Sequence, residues 1–315
     1  MPGQPSRSQV HIDSALTTFG TAYLENQKRF IADRAFGKIR VNKQTGKYWV
    51  IDKDYWMRQD VTARGPGAES AGSGYKVSNA GYVCDVFALH TMVDEQTRMN
   101  ADAPLNLDQQ AVQFITNALA LKKEQDFVAA FIGASAFSTT STPGTTWDDV
   151  TSTPIEDVRA QFNVISEKTG HTPNLIIAGA EITKRLVDHP DVVDRIKYSA
   201  GPGNPAVVSE NALAALFGVE RYLTHYASYN SAAEGATGSY DYLGNSGKNA
   251  LLCYADMTPG WMSATAAICF EWMPLEISSW YKDDNRADKV EGQMAYDFKV
   301  IGDDLAVEFT SAVAS

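Results

Sequence analysis

Long hydrophobic runs are missing from this chain. No stretch of 18 apolar residues occurs anywhere in its 315 residues, so nothing in it reads as a membrane-spanning helix. Cysteine is scarce as well. Cys84, Cys253 and Cys269 stand far apart, each in an apolar strand-like context and none in a C-x-x-C pair, which leaves three reduced core residues rather than a disulfide framework. Histidine is equally thin: His11, His90, His171, His189 and His225 occur singly, without the paired spacing that zinc requires. Positive charge is in deficit, with 27 Lys+Arg against 38 Asp+Glu and a formal net charge of -11. That balance argues against nonspecific nucleic-acid binding as the main job, because phosphate contact calls for a basic surface.

Catalytic and cofactor signatures are absent too. Gly244-Asn245-Ser246-Gly247-Lys248 looks like the end of a phosphate loop, but Tyr242 stands where the first glycine belongs and Asn249 where Ser or Thr must bind magnesium. Gly201-Pro202-Gly203 is no dinucleotide fingerprint, since Pro202 and Pro205 block the strand-turn-helix that the motif needs. No G-x-S-x-G elbow occurs. Asp283-Asp284 with Asp288, and Asp303-Asp304, lack the order of a calcium loop and read as solvated turn carboxylates. His189, just before Pro190, reads as a helix-start residue. The polar start, Met1 to Arg7, lacks the apolar core of a signal peptide, so the protein is expected to stay where it is made. No catalytic residue, metal ligand or cofactor is assigned.

What is present is an unusual segment. Residues 36–81 are rich in charge, aromatics and glycine, yet have no helical period and too few aliphatics for a core. Residues 38–41 and 47–51 read as a ribbon turning around Gln44-Thr45-Gly46, with Tyr48, Trp49, Tyr55 and Trp56 in and after its second half. The glycine-rich tail that follows is loop composition. Structureless insertions of this length are usually functional or disordered, and disordered segments are seldom this aromatic. An extended arm lying on a neighbouring subunit accounts for both. Charge fits: residues 1–80 hold 12 Lys+Arg against 7 Asp+Glu, and the other 235 hold 15 against 31. Opposite potentials guide docking, although drift along a solvated surface would look the same.

The rest alternates helices and strands. A partly helical N-terminal arm is expected over residues 12–36 and a strand over 82–92. A long helix is expected over 109–132, with Asp108 as N-cap and Gly133 as its stop. Thr153-Pro154-Ile155-Glu156 reads as a capping box for a helix ending at Gly170. A short buried strand at 175–178, helices at 180–187 and 190–198, a helix at 210–217 capped by Ser209, and strands near 219–223, 250–254 and 264–272 follow. Alternation at 294–300 and 305–309 around Gly302-Asp303-Asp304 predicts a C-terminal antiparallel hairpin.

This order of parts resembles the major capsid protein of tailed bacteriophages, a fold shared with herpesvirus shells and bacterial encapsulin nanocompartments. The segments that carry the likeness are Tyr82-Val83-Cys84 through Ala88-Leu89-His90, Val93 to Arg98, Asn106-Leu107-Asp108, Leu121-Lys122-Lys123-Glu124, Asn174 to Gly179, Leu186 to Lys197 and Leu216 to Glu220. The resemblance implies an α+β fold with an N-terminal arm (1–35), an extended loop (36–81), a peripheral domain with a long spine helix (82–152 and 274–315) and an axial α/β domain (153–273). It implies a structural protein, not an enzyme, that self-assembles as pentamers and hexamers into an icosahedral shell in the host cytoplasm. The implied partners are further copies of itself, a separate scaffolding protein, since only about 35 residues precede the loop, a portal, a decoration protein, and packaged DNA held without specific binding. No membrane and no cofactor enter. Lys47, Trp49, Lys53, Trp56 and Arg58 are the expected assembly contacts, the alternative for the tryptophans being burial in their own subunit. An encapsulin-type shell around an enzyme cargo, and an α/β enzyme with glycine-rich substrate loops at 71–74 or 201–203, are the other readings.

Overall fold

A computed structural model describes residues 30–51, 54, 57–100, 106–133, 136–200, 208–233, 235–243, 247–260 and 263–314. Two sheets organise it. One is four-stranded, in the order Lys38–Arg40, Ala267–Lys282, Ala287–Val300, Asp85–Asp94; the other is five-stranded, in the order Thr140–Ser141, Ala306–Phe309, Ala250–Cys253, Leu175–Gly179, Arg221–His225.

The helix Leu107–Phe131 lies along one face of the four-stranded sheet. Asn106 caps it by accepting the Gln109 amide at 3.2 Å, so the cap stands two residues before the expected Asp108. Its first half packs Val112, Ile115 and Leu119 on Val290, Met294 and Tyr296. Its second half sets Phe127 and Phe131 edge-on against Phe298, with Phe36 closing the cluster 5.0 Å from Phe131. Close approach of helix to strand depends on Gly292, where an added Cβ would lie 2.6 Å from Ile115 Cγ2.

The five-stranded sheet is buried on both sides. Leu175, Ile177 and Leu251 join the aromatic cluster at the end of the long helix, while Ile176, Ala178, Leu252 and Phe309 face a layer of four helices. Those helices, Pro154–Thr169, Ala180–Asp188, Pro190–Ala200 and Glu210–Phe217, start and stop near their sequence signals. Ser209 accepts the Ala212 amide, and Gly170 and Gly218 end their helices with φ near +75°. Thr153 makes no side-chain cap, so Pro154 starts its helix by its fixed φ rather than through a capping box. The long helix is tied to this sheet at its end: the Gly133 amide donates to the Glu308 carboxylate, which also accepts from Asn249 at 3.3 Å.

Three pairings differ from the sequence reading. The ribbon forms between Thr45–Ile51 and Val77–Val83, whereas residues 38–40 run parallel to Ala267–Lys282. No C-terminal hairpin forms either: Ala287–Val300 belongs to the four-stranded sheet, and Ala306–Phe309 crosses after a short 3-10 turn into the five-stranded one. The expected domain boundary at 273/274 falls inside the continuous strand Ala267–Lys282. The expected helix at 12–36 lies mostly outside the described residues, which show one helical turn, Ala32–Ala35.

Replacing Gly292 by Val should force the stiff Ile115 side chain or the helix to move and cost about 1–3 kcal/mol. Gly144, with open space around its Cα, is the control: urea denaturation should show Gly144→Ala close to neutral.

Candidate assembly interface

The chemistry-bearing side chains of the body are engaged in holding the fold. Ser152 and His189 form a buried pair at 3.0 Å, but the Asp191 amide donates to His189 Nδ1 at 3.2 Å, which leaves the proton on Nε2, facing Ser152 and the Asp149 carbonyl. An imidazole in that tautomer offers the hydroxyl no lone pair. His189 thus serves the start of its helix. Burial pushes the thiols of Cys84 and Cys269 up to about 11 and that of Cys253 to about 12, and all three are free and buried. Three of the turn carboxylates have protein partners: Asp303 accepts the Ser138 amide, Asp304 pairs with Lys168 and Asp288 with Arg98. Among the described residues no group of three or more His, Cys, Asp or Glu side chains could hold a metal ion. No helix among them is long and apolar enough to cross a membrane.

The ribbon is the opposite case. At its root Cys84 donates its amide to the Gln44 carbonyl at 2.9 Å and accepts from Gln44 Nε2 at 3.1 Å, while the Val83 amide reaches the Asp297 carboxylate at 2.9 Å. Tyr82 stacks on Phe270 with centroids 4.6 Å apart, and Tyr48 lies 5.3 Å from the same ring. Gly46 leaves room for Tyr82, because a Cβ there would lie 2.5 Å from the Tyr82 hydroxyl and 2.7–2.8 Å from its ring. Beyond this clamp the ribbon leaves the body. Its residues alternate, with Tyr48 and Val50 half-buried and Lys47 and Trp49 exposed on the other face. Trp49 keeps 59% of its surface in solvent, and Tyr75, Val77 and Val83 are exposed as well.

Of the expected contacts, Lys47 and Trp49 share that open face, and Lys47 makes no ion pair among the described residues. Arg58 sits apart in the tip, paired with Asp60 at 3.3 Å; Asp60 in turn accepts from Ser73 at 2.5 Å. These residues line an open depression of about 750 Å³ with Gly72, Gly74 and Tyr75. Lys53 and Trp56 lie outside the described residues, as does the 201–203 loop.

No family model matches the chain. It is 25% identical over 271 residues to a protein named major capsid protein of Burkholderia phage BcepMu, covering 84% of this chain and 82% of that one. A phage-related protein from Bordetella bronchiseptica matches in structure with a TM-score of 0.72 at 17% identity, over 96% of this chain and 98% of the other. The capsid of cyanophage P-SCSP1u matches with a TM-score of 0.59 at 16% identity, over 90% and 88%. The chain has the fold of tailed-phage capsid proteins. The resemblance read from the sequence therefore extends over nearly the whole chain, and two of these relatives are capsid proteins by name.

Within this capsid fold two buried charges, Glu124 and Lys123, together with the exposed Asp33 and Lys38, anchor the segment that leads into the arm. Glu124, fully buried in the long helix, accepts the amides of Ile31 and Ala32 at 2.9–3.1 Å and lies 3.2 Å from His225. Next to it Lys123 pairs with Asp33 at 2.6 Å and Asp33 with Lys38 at 2.7 Å. Helical spacing could have exposed them: Lys123 falls four residues from Leu119 and Phe127, Glu124 four from Ala120 and Val128, all on the buried face.

Burial alone would raise the Asp33 carboxyl, but Lys123 and Lys38 outweigh it and hold the group at about 2. A depressed carboxylate contributes stability above its unfolded value, near 4, and loses it as pH falls towards 2. Asp33→Asn should lower the urea midpoint at pH 7, with the gap from the parent closing between pH 4 and 2. An unchanged gap across that window would remove Asp33 from the anchor.

Proposed function

We propose that the protein is the major capsid protein of a tailed phage, assembling as pentamers and hexamers into the icosahedral shell around the genome. The observation that carries this reading is the clamped ribbon. A rigid root with an exposed aromatic and basic face is the construction expected of a reaching element and is wasteful for a subunit that works alone. The match to shell proteins over nearly the full chain supports it.

In this reading the long helix with the four-stranded sheet forms the peripheral part. The five-stranded sheet with its helical layer forms the axial part, to which Ala306–Phe309 belongs by pairing. Assembly takes place in the host cytoplasm. A separate scaffolding protein, a portal and a decoration protein are the expected partners, and packaged DNA is enclosed without specific binding, in keeping with the net charge of -11. Lys47 and Trp49 make contacts on the adjacent subunit, Trp49 by desolvation and Lys47 by meeting its acidic body; Lys53, Trp56 and Arg58 are further contacts of the same arm.

Lys47 and Gly81 stand opposite each other in the ribbon. Deleting residues 48–80 and joining that pair through a two-residue turn should give a subunit that folds but forms no closed shell in electron micrographs. Trp49→Ala should raise the concentration needed for assembly roughly tenfold or more, as loss of an interfacial tryptophan worth about 1.4 kcal/mol or above would. Normal shells from the deletion would sink this role for the arm.

A further inference from the structure

The four-stranded sheet ends on the strand Asp85–Asp94, which pairs with Ala287–Val300 on one side and with no strand on the other among the described residues. The direction of its backbone groups follows from its two ends. The Val83 amide goes to Asp297 and the Glu95 amide to the Arg286 carbonyl at 3.2 Å, so odd-numbered amides face the sheet. Groups alternate along a strand, and the Cys84 amide does point the other way, to Gln44. The amides and carbonyls of Val86, Ala88, His90 and Met92 therefore line the open edge.

Free edges are normally blunted by proline, lysine, bulges or shortness. This one has none of these: it is ten residues long, keeps one register with its neighbour throughout, and carries charge only at its ends, Asp85 and Asp94. The opposite edge of the same sheet shows the contrast. There Lys38–Arg40 covers Cys269–Glu271, and beyond it Ala267–Lys282 has Pro274, two register shifts and a terminal lysine. Val86 and Met92 are also exposed on the unprotected strand.

We propose that the open edge of Asp85–Asp94 is a strand-pairing site that takes the ribbon strand Thr45–Ile51 of a second copy of this chain, continuing the sheet across the subunit boundary. The proposal rests on the capsid reading and names the surface on which the arm docks. Three observations choose this occupant. Among the described residues the ribbon has two strands, so the outer edge of Thr45–Ile51 has an equally unused row of backbone groups there. Its seven residues fit within ten. Its charge is complementary: residues 42–51 contain Lys43 and Lys47 and no carboxylate. Pairing of Asp85–Asp94 with its own copy about a two-fold axis would instead set Asp85 of each against Asp94 of the other, a like-charge arrangement. Added strands of this kind gain affinity from main-chain hydrogen bonds and specificity from alternate side chains.

The test uses the direction of the amides. His90→Pro removes an amide facing the open edge, which an edge strand tolerates, whereas Leu89→Pro removes one facing Gly292 and should destabilise the subunit itself. The expected result is that His90→Pro matches the parent in urea but needs at least tenfold more protein to assemble. Amide exchange at Val86, Ala88 and Met92 should slow at least tenfold in assembled parent relative to its monomer. Lys47→Cys combined in turn with Val86→Cys, Ala88→Cys, His90→Cys or Met92→Cys should give intersubunit disulfides in at least one pair. If shells form and need the arm while those amides exchange as fast as in the monomer, the docking surface is elsewhere and only this inference falls. Protection already present in the monomer and lost on removing residues 1–29 would assign the edge to the chain's own N-terminus and overturn it. Protection on assembly without any disulfide would overturn the ribbon as occupant. Failure to form shells under any condition would remove the capsid reading first.

Discussion

The paired hydrogen bonds of Gln44 with Cys84, one from the Cys84 amide to the Gln44 carbonyl and one from the Gln44 side chain to the Cys84 carbonyl, are the constraint on which the architecture of the arm depends. They join the first residue before one ribbon strand to the first residue after the other, so the ribbon is closed at its base before it leaves the sheet. The Tyr82–Phe270 stack and the Asp297 carboxylate then fix the base to the four-stranded sheet. Without that clamp a two-stranded ribbon is marginal in water. With it, the exposed face carrying Lys47 and Trp49 is held out from the body rather than folded onto it, and its apolar surface is left for another molecule to cover.

A second attachment works from the other side. The Glu124 carboxylate receives the amides that begin the turn Ala32–Ala35, and the ion pairs Lys123–Asp33–Lys38 lead the chain into the parallel strand Lys38–Arg40. Buried charges of this sort are weak net stabilisers, but breaking one partner away leaves an uncompensated charge in the interior. They therefore act chiefly as a registration device: the segment before the arm has one place to sit. Phe36, packed against Phe127 and Phe131, supplies the apolar half of the same anchor.

Local signals in the sequence carried far, and pairing partners did not. The caps at Ser209 and Gly218, Pro154 at a helix start and the spacing of Val112, Ile115, Leu119 and Phe127 are each legible because they depend on neighbours within a turn or two. Residues 38–41 and 47–51 have strand composition, yet nothing local says that Tyr48 faces Ala80 and Ile39 faces Phe270. Period-two alternation likewise marked 294–300 and 305–309 as strands without revealing that the turn between them carries the chain into another sheet. Lys123 and Glu124 carry no local mark of burial beyond their four-residue spacing from Leu119 and Val128. Lys47 and Trp49 were expected as contacts on a neighbour, with burial in its own subunit left open for the tryptophan; both are exposed in the ribbon, whereas Arg58 is paired with Asp60 in the tip.

The claim that organises this account is that the ribbon reaches beyond its own subunit. Cryo-electron microscopy of particles assembled from the purified chain tests it most directly, because the path of residues 45–83 can be traced from the clamp at Cys84. The expected map shows the ribbon crossing onto an adjacent subunit, with Trp49 covered by that neighbour. A map in which the ribbon folds back over its own four-stranded sheet, with Trp49 buried against its own chain or bare in solvent, would contradict it.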